Sequence, residues 1–212
     1  MSAVINCAIL FSGNGSNMQN LIESLHKRRF YNQNKELRIL EINVTICNNP
    51  SAYGINRSLA LNIPCEIIPH KNFTSRDAFD NAIGEVLQKY KIHYVFLAGF
   101  MRILTPAFTK RFSIINIHPS FLPEHKGANA IKDSFYSNQN YGGVSVHWVN
   151  EELDSGKIIM QEKIVKQQNE SLENFEHRIH LCEYSLYPRA IINALGLLED
   201  CPSIAQETKH NV

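Results

Sequence analysis

No stretch of this chain approaches the ~20 apolar residues needed to cross a bilayer, so no membrane-spanning helix and no membrane partner are expected. Nor is there a surplus of one charge. The 21 Lys and Arg stand against 20 Asp and Glu, for a formal net charge of +1. A protein held mainly to phosphate backbones needs a basic excess, so nucleic acid is not an expected partner either. Cysteine is sparse and scattered: Cys7, Cys47, Cys65, Cys182 and Cys201 are odd in number and form no CxxC pair. That spacing supports neither a disulfide framework nor a zinc knuckle. The opening MSAVINCAIL lacks a basic region and reads as a strand, not a signal peptide. Free thiols in apolar runs then point to a reducing, cytoplasmic setting.

What is present suits one α/β domain. With 212 residues, 44% hydrophobic and 19% charged, the chain can bury a sizeable core without a staple. We expect residues 1–199 to form that domain and 200–212 a polar tail. Strand-length apolar runs at 4–10, 39–47, 65–69, 93–99 and 113–117 alternate with helical patterns at 17–27, 53–61, from Ser75 onward and at 106–110. Met18, Leu21, Ile22 and Leu25 make one apolar stripe, and Phe79, Ile83, Val86 and Leu87 another. Such an order implies a mainly parallel, twisted sheet with helices on both faces. From Gly142 onward two strands, 144–149 and 158–165, read as an antiparallel pair closing one side, and a long helix over 171–198 ends the domain.

Three segments carry polar groups suited to chemistry. The turn Ser12-Gly13-Asn14-Gly15-Ser16-Asn17 follows the first strand. Its glycines allow a sharp bend, Ser16 or Asn17 can cap the next helix, and the helix start suits a phosphate. Read alone, it fits a plain capped turn equally well. In Asn116-Ile117-His118, the strand period puts Asn116 and His118 on one face and Ile115 and Ile117 on the other. That pair sits at the carboxyl end of a strand, where open α/β sheets bind ligands. Asn116 can donate to an oxyanion, and a histidine can also move a proton. In Glu151-Glu152-Leu153-Asp154-Ser155-Gly156, Asp154 is the carboxylate expected to be held by the turn. A carboxylate beside a histidine favours its imidazolium and fixes its tautomer.

These segments, with AGFMRIL at 98–104 and SVHWVNEELDSG at 145–156, occur in an order and spacing that resembles the phosphoribosylglycinamide formyltransferase family. The resemblance covers roughly residues 4–190. It implies a Rossmann-like formyltransferase fold and transfer of a formyl group from 10-formyltetrahydrofolate, as co-substrate, to the amine of glycinamide ribonucleotide in purine biosynthesis, with no metal. It further implies catalytic roles for Asn116, His118 and Asp154, and ribonucleotide binding by Gly15, Ser16, Asn17 and Glu183. Folate contacts would come from Arg76, Met101, Arg102, Ile103, Leu104 and Asn116. Without the resemblance, Arg76 is a helix-start surface arginine, Glu183 a helix-face carboxylate, and Ile103 and Leu104 ordinary core residues. Glu124-His125-Lys126-Gly127-Ala128-Asn129-Ala130 departs from the family pattern, so no contacts are carried onto it. Rival readings are hydrolysis of the same formyl-folate, formylation of a charged tRNA, and a non-catalytic nucleotide-binding module. The first normally carries an extra N-terminal domain and the second a basic extension, neither of which is expected here. The third leaves Asn116 and His118 without a task.

Overall fold

The computed structural model describes residues 3–199; the expected polar tail and Cys201 lie outside them. Among the described residues eight strands form one sheet. β1 (Ala3–Phe11) lies centrally and pairs in parallel with β3 (Leu37–Cys47) on one side and β5 (Tyr94–Leu97) on the other. β4 (Cys65–Ile67) adds to β3 and β6 (Ser113–His118) to β5, both in parallel. Three strands run antiparallel: β2 (Arg28–Tyr31) along β3, β7 (Tyr141–Trp148) along β6, and β8 (Ile158–Val165) along β7. The expected parallel sheet with an antiparallel closing pair is therefore present. β2 is an addition to it.

Strand alternation splits the core into two layers. Cys7, Ile9 and Phe11 of β1 face α1 (Ser16–Leu25) and α6 (Leu172–Ala194), whose Leu21, Leu25, Phe175, Ile179 and Tyr187 are fully buried there. Ala8 and Leu10 face the other way, onto Phe79, Ile83 and Leu87 of α3 (Arg76–Lys89) and Phe108 of α4 (Pro106–Arg111). In β3 the layers exchange part-way along. Cys7 pairs with Ile42 but Ala8 with Val44, so Asn43 is an extra residue in a bulge. Leu40 and Ile42 therefore enter the first layer, and Val44 and Ile46 the second.

Among the described residues two short α-helices, α2 (Gly54–Ala60) and α5 (Ala130–Tyr136), and one 3-10 turn at His70–Asn72 complete the set. α5 falls in a segment that carries no clear helical period. The last helix stops at Ala194, short of the expected Leu198, which instead bridges to Tyr31 of β2. Pro188 sits inside that helix and has no N–H to give the Tyr184 carbonyl. Asn20 of α1 supplies the missing donor at 2.9 Å, which ties the two helices of that face together. The Tyr187 hydroxyl, buried beneath the sheet, lies 2.9 and 3.0 Å from the carbonyls of Leu97 and Ile115 and braces the ends of β5 and β6.

Candidate active site

The chain leaves β1 for β3 toward one edge of the sheet and leaves β5 for β6 toward the other, so the strand order reverses between these two neighbours. Ligands of open α/β sheets bind at such a switch point. Here a cleft of about 790 Å³ opens, lined by residues of 12–17, 97–104, 116–119, 127–132, 147–154 and α6. The loops after β1 and β5 are tied across its floor. Ser12 N–H donates to the Gly99 carbonyl (3.1 Å), and Met101 N–H to the Ser12 hydroxyl (2.8 Å). At the far end of the second loop, buried Asp80 accepts from Thr105 N–H at 2.7 Å.

At the end of the cleft beside β6, polar side chains lie beneath the surface. His118 and Asp154 are only 5% and 8% exposed, with Nδ1 and Oδ2 3.4 Å apart. The other nitrogen of His118, Nε2, donates to the His125 carbonyl at 2.9 Å. Asp154 adopts a left-handed backbone (φ +48°), and its Oδ2 accepts from Gly127 N–H at 3.0 Å. Glu151 and Glu152 stay exposed, so the turn singles out the one carboxylate expected.

His147 joins this cluster. The antiparallel register sets it opposite Asn116 and sets Ser145 opposite His118. Burial pushes the His147 imidazole below the usual histidine range, against the opposing pulls of the Trp148 carbonyl and Asp154. The ring is thus neutral near pH 7. Its Nδ1–H donates to the Trp148 carbonyl (2.9 Å), so Nε2 must accept. It accepts from the Asn116 amide nitrogen at 3.2 Å, which fixes which way that amide faces. Nothing in the sequence marks His147 except its alternation with Val144 and Val146, which puts it on the face of Ser145.

The other end, after β1, is built from backbone. Gly15 takes φ +75°, and a Cβ there would stand 2.7 Å from the Gly54 Cα of α2. Only glycine fits that conformation and that approach. Gly15 is also the N-cap of α1, with no side chain bonded to the helix end. Ser16 and Asn17 are its first helical residues, so neither is the expected cap. Their N–H groups belong to the set that a helix start leaves without intrahelical partners.

Facing both ends is α6. Glu183 is 4% exposed, far from a plain helix-face carboxylate, and accepts from His180 Nδ1 at 2.7 Å. Glu176 lies 3.6 Å from the other nitrogen of that ring. Together the carboxylates lift the His180 imidazole above its ordinary range, Glu183 foremost. The lip is apolar: Met101, Ile103 and Leu153 are all more than half exposed, while Leu104 is buried below them. Ile103 is thus not the core residue its pattern suggests. Of the residues marked in the sequence, Gly15, Ser16, Asn17, Met101, Arg102, Ile103, Leu104, Asn116, His118, Asp154 and Glu183 all line the cleft. Arg76 does not; it is exposed at the start of α3. No group of three or more His, Cys, Asp or Glu among the described residues is placed to hold a metal ion.

A family model described as formyl transferase matches residues 5–191. The chain belongs to this family. It is 38% identical over 186 residues to the phosphoribosylglycinamide formyltransferase of Haemophilus influenzae, covering 87% of this chain and 84% of that protein. It is also 38% identical over 185 residues to the trifunctional purine biosynthetic protein adenosine-3 of Chironomus tentans, of which it spans 13%. The crystal structure of phosphoribosylglycinamide formyltransferase from Campylobacter jejuni superposes with a TM-score of 0.85 at 42% identity. That match covers 92% of this chain and 100% of the other.

Proposed function

We propose that the protein transfers the formyl group of 10-formyltetrahydrofolate to the amine of glycinamide ribonucleotide, giving the N-formyl ribonucleotide and tetrahydrofolate in purine biosynthesis. The observation that carries this reading is a single cleft joining a backbone cradle at residues 12–17 to the half-buried Asn116 and the buried His118 and Asp154. The cradle suits a phosphate, since a helix start gathers N–H dipoles on an anion. The exposed apolar lip of Met101, Ile103 and Leu153 suits the flat rings of a folate; apolar groups left open in a cleft mark a ligand surface.

In the reaction the neutral amine nitrogen bonds to the formyl carbon, and the bond from that carbon to the folate nitrogen breaks. One proton passes from the amine to the departing nitrogen. Charge builds on the formyl oxygen in between. Asn116 and the imidazolium of His118, its Nε2–H exchanging the His125 carbonyl for the substrate, are the donors assigned to it. His147 holds the Asn116 amide in place, so Asn116 meets the oxygen with its remaining N–H. Asp154 holds His118 and helps to move the proton. Glu183, buried on α6, is assigned to the ribonucleotide, and Met101, Arg102, Ile103 and Leu104 to the folate, with Arg76 an outlying contact for its far end. The expected setting is the cytoplasm, in keeping with four free cysteines among the described residues.

The test follows both products of the formyl-folate. Tetrahydrofolate release that requires glycinamide ribonucleotide, with one N-formyl product per turnover, is the expected result. Release at the same rate without the amine, with formate appearing instead, would assign hydrolysis.

A further inference from the structure

We propose that Arg57 of α2 is a positioning residue for the substrate phosphate, one that shapes the cradle without touching the ligand. This rests on the reading of residues 12–17 as the phosphate site. α2 grips two successive carbonyls of that turn. Gly54 N–H donates to the Gly13 carbonyl at 3.1 Å, and Arg57 Nε donates to the Asn14 carbonyl at 3.0 Å. In a trans peptide the N–H points opposite to the C=O of the same unit. Holding those two carbonyls toward α2 therefore turns the N–H groups of Asn14 and Gly15 away from it. The opposite side is the cleft, which residues 12–17 line and α2 does not. The two N–H groups then stand beside those of Ser16 and Asn17 at the start of α1, and successive N–H groups in such a turn form an anion-binding hollow.

The guanidinium is turned onto the protein, not toward the ligand. Its Nη2 reaches the Asn14 side-chain oxygen at 3.4 Å, its Nη1 donates to Gln19 Oε1 on α1, and the group lies 5.0 Å over the Tyr53 ring. All three nitrogens are engaged by the protein, and Arg57 is absent from the cleft lining. A lysine could supply the charge but not a planar fork reaching Asn14 and Gln19 together. The close approach of Gly15 to Gly54 gives the same element a second hold on the turn, since any side chain at either position would push α2 off.

The experiment compares kcat/KM for glycinamide ribonucleotide with that for the dephosphorylated riboside, in the wild type, Arg57→Met and Arg57→Lys. Calorimetry with ribose 5-phosphate as a probe runs alongside. The wild type should favour the phosphorylated substrate. Arg57→Met should shrink that preference by about tenfold, the scale of one lost charge-assisted hydrogen bond, and weaken ribose 5-phosphate equally. The riboside's own kcat/KM and the folate KM should hold. Arg57→Lys should behave as Arg57→Met does, and it carries the test alone should Arg57→Met fail to fold. A preference left intact in the variants, or fully restored by lysine, overturns the positioning role. A wild type indifferent to the phosphate overturns the site assignment itself, and is recognisable because it shows before any variant is made.

Discussion

The two ends of the cleft are made of different material. The turn at residues 12–17 offers backbone dipoles: a left-handed glycine, an uncapped helix start, and carbonyls held from behind by α2. The end at β6 and β7 offers side chains that titrate or hydrogen-bond, nearly all buried, each fixed by another. Fixed dipoles attract an anion at any pH and need no proton. Acid–base groups can move a proton, and they require placement to a fraction of an ångström. In the proposed function the turn after the parallel strand β1 supplies binding. The antiparallel addition of β7 and its following turn brings His147 and Asp154 against Asn116 and His118 of β6, the groups assigned to the chemistry. One end should therefore be removable without the other.

The largest way to test that division is His118→Ala. It should lower kcat by about 10²–10⁴-fold, the usual worth of a positioned proton donor, while calorimetric affinity for glycinamide ribonucleotide survives. At the opposite end, Gly15→Ala should do the reverse in kind. It forces a side chain into φ +75° and against Gly54, costing about 1–3 kcal/mol in backbone strain alone. Urea denaturation should show the loss, and ribonucleotide affinity should fall with it. If affinity holds, the turn is not the anion site.

Smaller effects sharpen the frame behind both ends. Asn20→Ala leaves the Tyr184 carbonyl without its donor beside Pro188, and should cost about 1–3 kcal/mol in denaturant titration. An unchanged midpoint would mean that water takes the place of the Asn20 side chain. The smallest effect concerns pH. Because Glu183 and Glu176 raise the His180 pKa in the fold, the stability that pair contributes is full below about pH 6.5, the unfolded value. It is lost as pH rises through the raised pKa. An NMR titration should give His180 a midpoint above the ordinary histidine value, falling in Glu183→Gln. An unmoved midpoint would show that the ring does not answer to Glu183.

The sequence discloses the parallel half well, because buried strands such as residues 93–99 are nearly continuous apolar runs and α1 carries a clean stripe. β2 escapes notice because four residues opening on Arg28 and Arg29 show no alternation longer than Phe30 and Tyr31. α5 escapes because only Ala130 and Ser134 of its seven residues are buried, too few for a period. The β3 bulge is hidden because Leu40, Ile42, Val44 and Ile46 alternate perfectly on paper, while an extra residue sends them to two faces. At the site, the period of two puts Asn116 and His118 on one face, and a turn signal singles out Asp154. Their approach to one another depends on the β6–β7 register, a non-local fact. His147 is masked by the same register, and Gly127 by a loop whose backbone, not its side chains, does the holding. The placement of Glu183 is implied by the family resemblance alone; its neighbours His180 and Glu176 give no hint that the helix turns that carboxylate inward.

The most direct test of the division between binding and chemistry is one preparation of Asp154→Asn measured twice. Single-turnover formyl transfer should fall by about 10²-fold or more, since the partner of His118 is lost. On the same sample, calorimetry should return the wild-type affinity for glycinamide ribonucleotide, because the backbone cradle at the far end of the cleft is untouched. A near-wild-type rate, or an affinity that falls as far as the rate does, would contradict the account.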